Sequence, residues 1–287
     1  LSPLQWDMFF YIESKCARSY IAGDDDQTIY TFQGADPNIF INLKGILDPQ
    51  KQSQRVPKRI HRLAESIFPH MHNRLKKEWL PRNAEGKVYT NVDFQSIDFS
   101  KENWMVLTRT NKMLEPLRDH LYNLNLRFDC KIQELLPVKM LNAYRVWIRL
   151  NQGAFVNKED LEDLWGYLTV RDGHLERGYA SGKTLAMIES INLQGLREHH
   201  GLRVAGSWEQ LNFPEQSKAY IRTILKNGDD LMKPARIKLS TIHSVKGEEC
   251  DNVVLFTDLE RIIYESAQKD PDPEHRTFFV GITRAKE

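Results

Sequence analysis

The sequence predicts an α/β protein: a parallel sheet with flanking helices, interrupted by a mainly helical insertion. Three observations lead to that class. Trp104–Thr108 (WMVLT) is an apolar run of the kind that fills a buried strand, and residues 111–124 behind it carry helical spacing, so the two form a β–α unit. Two further strands, in 236–243 (RIKLSTIH) and 252–256 (NVVLF), precede a helical pattern over 274–286. Between these flanks, from about residue 130 to 232, strand signals are few and amphipathic helices dominate.

Taken in order, residues 3–15 carry apolar side chains at helical spacing, with Pro3 suited to a first turn. Ser19–Gly23 is a short apolar run ended by Gly and three aspartates, a strand-then-loop signal. Residues 56–79 read as a helix interrupted by Pro69. In the middle, 136–150 and 157–168 are amphipathic helices, and Asn157 is placed to cap the second, with Asp160 at the capping-box position.

The 287 residues hold 40 Lys+Arg, 39 Asp+Glu and 41% hydrophobic residues. That length suggests two domains or one large one, since domains run to roughly 100–200 residues. The composition excludes collagen, coiled coil or wholesale disorder for the chain as a whole. No apolar run approaches the roughly 18–20 residues that span a bilayer, and no basic-then-apolar leader is present. Cys16, Cys130 and Cys250 lie far apart, which argues against zinc and for a reducing, cytoplasmic setting. A net charge of +1 argues against a purely electrostatic polyanion binder. The mean hides a distribution: residues 1–50 hold 3 basic and 7 acidic side chains, whereas 51–130 hold 15 and 9. A local basic excess is a weak pointer to phosphate.

Four strings can carry chemistry. In Gly23–Ala35 (GDDDQTIYTFQGA), the plain reading of the aspartates is a solvated acidic turn. Gln27 at a strand tip can donate to a phosphate oxygen and accept from a water. Tyr30 and Phe32, two apart, share a face of an extended segment, as core or as a platform on which bases stack. Gln52–Ile60 (QSQRVPKRI) reads as a basic helix start with Pro57 near its first turn, and its Arg55 offers a guanidinium fork suited to a phosphoryl group. Leu239–Cys250 (LSTIHSVKGEEC) places His243 at a strand end, where a lone His is usually structural. Arg276–Lys286 (RTFFVGITRAK) is an amphipathic helix with Phe278 and Ile282 four apart.

Together these strings resemble motifs III, IV, V and VI of the UvrD/Rep family of superfamily 1 DNA helicases, whose patterns run close to G-D-x-x-Q-S-I-Y-x-[WF]-R-G-A, Q-N-Y-R-S-x-x-x-I, T-x-H-x-x-K-G-x-E-[FW] and R-x-x-[YF]-V-[GA]-x-T-R-A. Gln33 stands where the family usually has Arg, Ser53-Gln54 replace Asn-Tyr, Val56 replaces Ser, and Cys250 replaces an aromatic. The resemblance implies a RecA-like, P-loop NTPase-type sheet. It implies that Gln27 senses the γ-phosphate of ATP, and that Arg55 and Arg284 act as arginine fingers. Lys246 and Gly247 would lie near the phosphates, and Glu249 would contact the ribose. Tyr30 and Phe32 would contact single-stranded bases, with Thr241 and His243 at the DNA backbone or the motif III loop.

On the same ground, residues 1–50 would be the tail of a first RecA-like domain. Residues 51–130 and 233–287 would form a second, and 131–232 a helical accessory insertion. The function implied is that of an ATP-dependent DNA helicase: motion along single-stranded DNA that unwinds duplex at a junction, with 3′→5′ direction implied by the family alone. A helicase–nuclease and a non-catalytic scaffold derived from a helicase share these strings. Ser181-Gly182-Lys183-Thr184 looks like the end of a G-x-x-x-x-G-K-[ST] loop, but Arg177 stands at its first glycine and no apolar strand precedes it, so it reads as a surface turn. No other G-K-[ST] string and no D-E-x-x-D are present. A start at Leu1 fits a chain that continues one bearing those motifs, which would hold Mg²⁺ and the β/γ-phosphates. The 287 residues alone are therefore expected to hydrolyse no ATP.

Overall fold

The computed structural model describes residues 1–132 and 136–287. The chain forms two compact units. The first comprises 1–124, 128–131 and 236–287; the second comprises 125–127 and 132–235.

The first unit contains, in order, α1 (Pro3–Glu13), α2 (Pro37–Ile41), β1 (Gln52–Pro57), α3 (Lys58–Glu65), β2 (Leu80–Arg82), β3 (Trp104–Thr108), α4 (Leu114–Asn123) and β4 (Phe128–Cys130). Four helices of the second unit follow: α5 (Val138–Asn151), α6 (Lys158–Trp165), α7 (Leu193–His199) and α8 (Glu215–Lys226). The first unit then resumes with β5 (Ile237–Thr241), β6 (Asn252–Leu255), α9 (Arg261–Ala267) and α10 (Asp272–Ile282). Its main sheet has the order β4-β5-β3-β6, and every pairing is parallel. Parallel strands are covered on both faces and so read as continuous apolar runs, which is why β3 was legible. Val106 faces Leu239 on one side and Val254 on the other. Met105, Leu107, Ile242, Val245 and Val280 close one core, and Ile29, 2% exposed, belongs to it. This parallel sheet with flanking helices is the RecA-like arrangement expected.

Several expectations are corrected. Ser19–Gly23 forms no strand: its residues are exposed, and no strand among the described residues pairs with it. An apolar run becomes a strand only where a neighbour takes its N–H and C=O groups. The expected helix over 56–79 survives only as α3 and a 3₁₀ turn at Phe68–His70, after which the chain is irregular up to β2. Pro69 lacks the N–H a continuing helix needs. Gln52–Pro57, expected as a helix start, is a strand pairing in parallel with β2, and Pro57 is the residue that precedes α3.

The second unit is mainly helical, and among its described residues only the isolated bridges Val156–Ile191 and Leu175–Leu202 have strand character. Its core centres on Trp147, fully buried, whose indole N–H donates to the Gly206 carbonyl at 3.1 Å. Asn157 caps α6, its side chain accepting from the Asp160 N–H at 3.0 Å. Lys183 opens a 3₁₀ turn, Lys183–Met187, and no strand leads into it. Among the described residues no helix is long and apolar enough to cross a membrane.

Candidate functional site

The Asp24–Gln27 turn is not the solvated acidic turn that its composition suggests. Asp25 and Asp26 are buried, at 1% and 0% exposure. Arg74 grips Asp26 through two bonds of 2.9 and 2.8 Å, and the Lys77 ammonium meets Asp24 at 2.5 Å, Asp25 at 2.6 Å and Asp26 at 3.1 Å. Burial works against charge at both Asp26 and Lys77, but the partners win: the Asp26 carboxyl is held below its ordinary range and the Lys77 ammonium above its own. Arg276 on α10, 2% exposed, donates to the Asp25 carbonyl at 3.1 Å and to the Asn73 carbonyl. The turn is thus clamped from two sides, and it presents Gln27 half-buried, with its Nε2 donating to Asp24 at 2.6 Å. The Gln27 carbonyl accepts from Lys246 Nζ at 2.8 Å.

Tyr30, Phe32 and His243 come together. Their ring centroids lie 6.1 Å (Tyr30–Phe32), 6.0 Å (Tyr30–His243) and 5.4 Å (Phe32–His243) apart. The expected reason is corrected: the segment is not extended, because Thr31–Gln33 is a 3₁₀ turn closed by Gly34 at φ +84°. The two rings also differ in kind. Tyr30 packs against the core and its hydroxyl donates to the His243 carbonyl at 2.9 Å, whereas Phe32 is 67% exposed. His243 Nε2 lies 3.1 Å from the Ile29 carbonyl, which can only accept, so that nitrogen carries the proton. Burial and then the nearby Arg109 charge push the imidazole below its ordinary value, so it is neutral at pH 7. Thr241 stands apart from the rings, its hydroxyl 3.0 Å from that of Ser244.

Arg55 and Arg284 form a cationic pair. Arg284 is 1% exposed and donates to the carbonyls of Val280 at 2.9 Å and Glu248 at 3.1 Å, and to the Thr283 hydroxyl at 3.1 Å. Desolvation first, and the Arg55 charge second, pull its guanidinium down to about 10. Arg55 is lowered by burial, and its Nε is buried with no partner among the described residues. The anion nearest to this pair is Glu249, 3.9 Å from Arg55, and Lys286 already holds it at 3.0 Å. Lys246 is itself lowered by burial, with the Arg284 charge acting in the same direction. Gly247 sits beside it at φ +94°, in open space. Three cations, Arg55, Arg284 and Lys246, thus interact with one another and with the carboxylates Glu249 and Asp24. Arg284, however, is turned inward and makes three hydrogen bonds within the protein.

The sequence reading missed Arg74, Lys77 and Arg276 as the clamp, and it missed the Arg109–Glu274 pair, bonded twice at 2.6 and 2.8 Å. The signal for the clamp was present: an acidic first fifty residues followed by a basic stretch is a charge complement as well as a phosphate pointer.

Asp24, Asp25 and Asp26 are the one group of carboxylates among the described residues close enough together for a metal ion. Lys77 and Arg74 already occupy their oxygens, so they do not fit Mg²⁺.

Residues 1–48 match the UvrD/REP helicase N-terminal domain, and residues 215–287 match the UvrD-like helicase C-terminal domain. No curated protein matches the chain.

Proposed function

We propose, from the match of both ends of the chain to UvrD-like helicase domains, that it serves ATP-driven, 3′→5′ movement on single-stranded DNA, unwinding duplex where strand and duplex meet. In this reading residues 1–50 are the tail of a first RecA-like domain, 51–130 and 233–287 the second, and 131–232 an accessory subdomain. The observation that carries the proposal is Lys246. Its ammonium bonds to the Gln27 carbonyl at 2.8 Å and lies 5.4 Å from the centre of the Tyr30 ring. One side chain therefore touches both the residue assigned to nucleotide sensing and the platform assigned to bases.

The chemistry follows from charge. Transfer of a phosphoryl group is promoted chiefly by positioning and by cations placed where negative charge develops. Arg55, with an unpartnered Nε and a depressed affinity for its proton, gains most from an incoming phosphate. Arg284 would complete the pair by exchanging the Glu248 carbonyl for phosphate oxygen, a local rearrangement of the turn before Glu249. Gly247 supplies the backbone freedom for it. A shift in that turn moves Lys246, and with it the Gln27 carbonyl and the Tyr30 ring. Thr241, at the end of β5, would meet the DNA backbone, and Glu249 the ribose. The residues that would hold Mg²⁺ and the β/γ-phosphates have no counterpart among the described residues.

The test is nucleotide affinity read by a fluorescent ATP analogue. Arg55→Ala is expected to weaken it at least tenfold, the size of one lost charge-assisted hydrogen-bond set at about 1.5–3 kcal/mol, with thermal stability little changed. An affinity that does not move would sink the assignment of Arg55 to phosphate.

A further inference from the structure

The Arg109–Glu274 ion pair lies outside the four strings that point to function, and its surroundings give it a role. Arg109 follows directly on β3, whose Thr108 is in register with Thr241 of β5; His243 is two residues beyond Thr241. Glu274 is in the first turn of α10, which packs under the Ile242–Val245 turn through Val280. The pair is enclosed, with side chains 18% and 12% exposed, and doubly bonded. It therefore ties the end of β3 to the helix that precedes Arg284 and packs against the turn that carries His243.

We propose that Arg109 and Glu274 are positioning residues for the base platform, setting the charge that His243 meets beneath Phe32 and so keeping the platform an uncharged aromatic face. The proposal rests on reading Tyr30, Phe32 and His243 as that platform. The groups that face His243 can be named from each element packed against it. The β3 end supplies Arg109, and α10 supplies Glu274. The segment before the platform supplies the Ile29 carbonyl and the uncharged Tyr30 ring, and its own turn supplies Lys246 across that ring. Arg109 disfavours a proton on His243 and Glu274 favours one, so the intact pair leaves burial in control. A neutral platform suits a protein that must release a strand as readily as it grips it: an imidazolium there would hold phosphate and add to the salt dependence of binding.

The test is the titration of His243 followed by NMR in the full chain without DNA, its resonance identified by its loss in His243→Gln. In Arg109→Met the midpoint is expected to move up, because Glu274 is left unopposed. In Glu274→Gln it is expected to move down, and in Arg109→Lys to stay. Binding of oligo-dT should then become pH-dependent in Arg109→Met alone, about fivefold tighter at pH 6 than at pH 8, the scale of one added charge near phosphate in water. Midpoints unmoved in both charge-removing variants would overturn the proposal. Should Arg109→Met not fold, Glu274→Gln, which removes charge at constant size, decides it alone. If the midpoints move but Phe32→Ala leaves oligo-dT binding intact, the platform reading fails while the charge relation stands.

Discussion

Lys246 and Gly247 show how two adjacent residues can be asked for opposite things. Lys246 is held at two contacts, the Gln27 carbonyl and the Tyr30 ring. Gly247 is held by nothing: a Cβ added there would meet no atom within 4 Å. Its requirement is conformational, since φ +94° is a region that side chains other than hydrogen rarely adopt. Gly247→Ala therefore isolates backbone strain from crowding. It is expected to lower stability by about 1 kcal/mol, measured by denaturant midpoint. A midpoint equal to that of the parent would show that the turn relaxes freely.

At the scale of elements, the chain binds its acidic turn to its basic stretch. Breaking one partner of a buried ion cluster leaves charge without compensation, which costs about 3–5 kcal/mol when burial is complete. Lys77 is a quarter exposed, so Lys77→Met is expected near the lower end, about 3 kcal/mol, seen as a lower melting temperature. The same network sets a pH window. Asp26 is lowered in the fold, so its contribution is present above the ordinary Asp value, 3.8, and is lost as pH falls through its folded value. Lys77 is raised, so its contribution is present below 10.5 and is lost as pH climbs through its folded value. Melting temperature should hold between those limits and fall on the acid side; a profile in Lys77→Met identical to the parent's would contradict the network. Not all of this was legible beforehand. β3, α5 and α6 announce themselves through apolar runs or 3.6-residue spacing over eight to fourteen positions or through their capping residue. β4 is three residues long, F-D-C, and β1 carries Arg55 and ends in Pro57, so neither has a period to read. Ser19–Gly23 was over-read for the opposite reason: its pattern is right, but no strand among the described residues pairs with it. The candidate site was legible as residue types in order. That Arg284 faces inward, that Phe32 is exposed while Tyr30 is not, and that Arg276 holds the Asp25 carbonyl all depend on contacts across two hundred residues or on local turns, which no short string encodes.

For the whole molecule, near-neutrality is a sum of paired opposites. The acidic first fifty residues are matched in part by Arg74 and Lys77, so the basic excess after residue 50 is not wholly available to phosphate. Arg55, Arg284 and Lys246 bring further positive charge together beside the Tyr30, Phe32 and His243 rings. In the proposed function, gripping a strand would depend more on stacking than on net charge, and base–aromatic stacking contributes about 1–3 kcal/mol per base. Binding of oligo-dT by fluorescence anisotropy, compared between the parent chain and Tyr30→Ala/Phe32→Ala, tests this most directly. The account predicts affinity at least tenfold weaker with the fold retained by circular dichroism; equal affinity in a folded variant would contradict it.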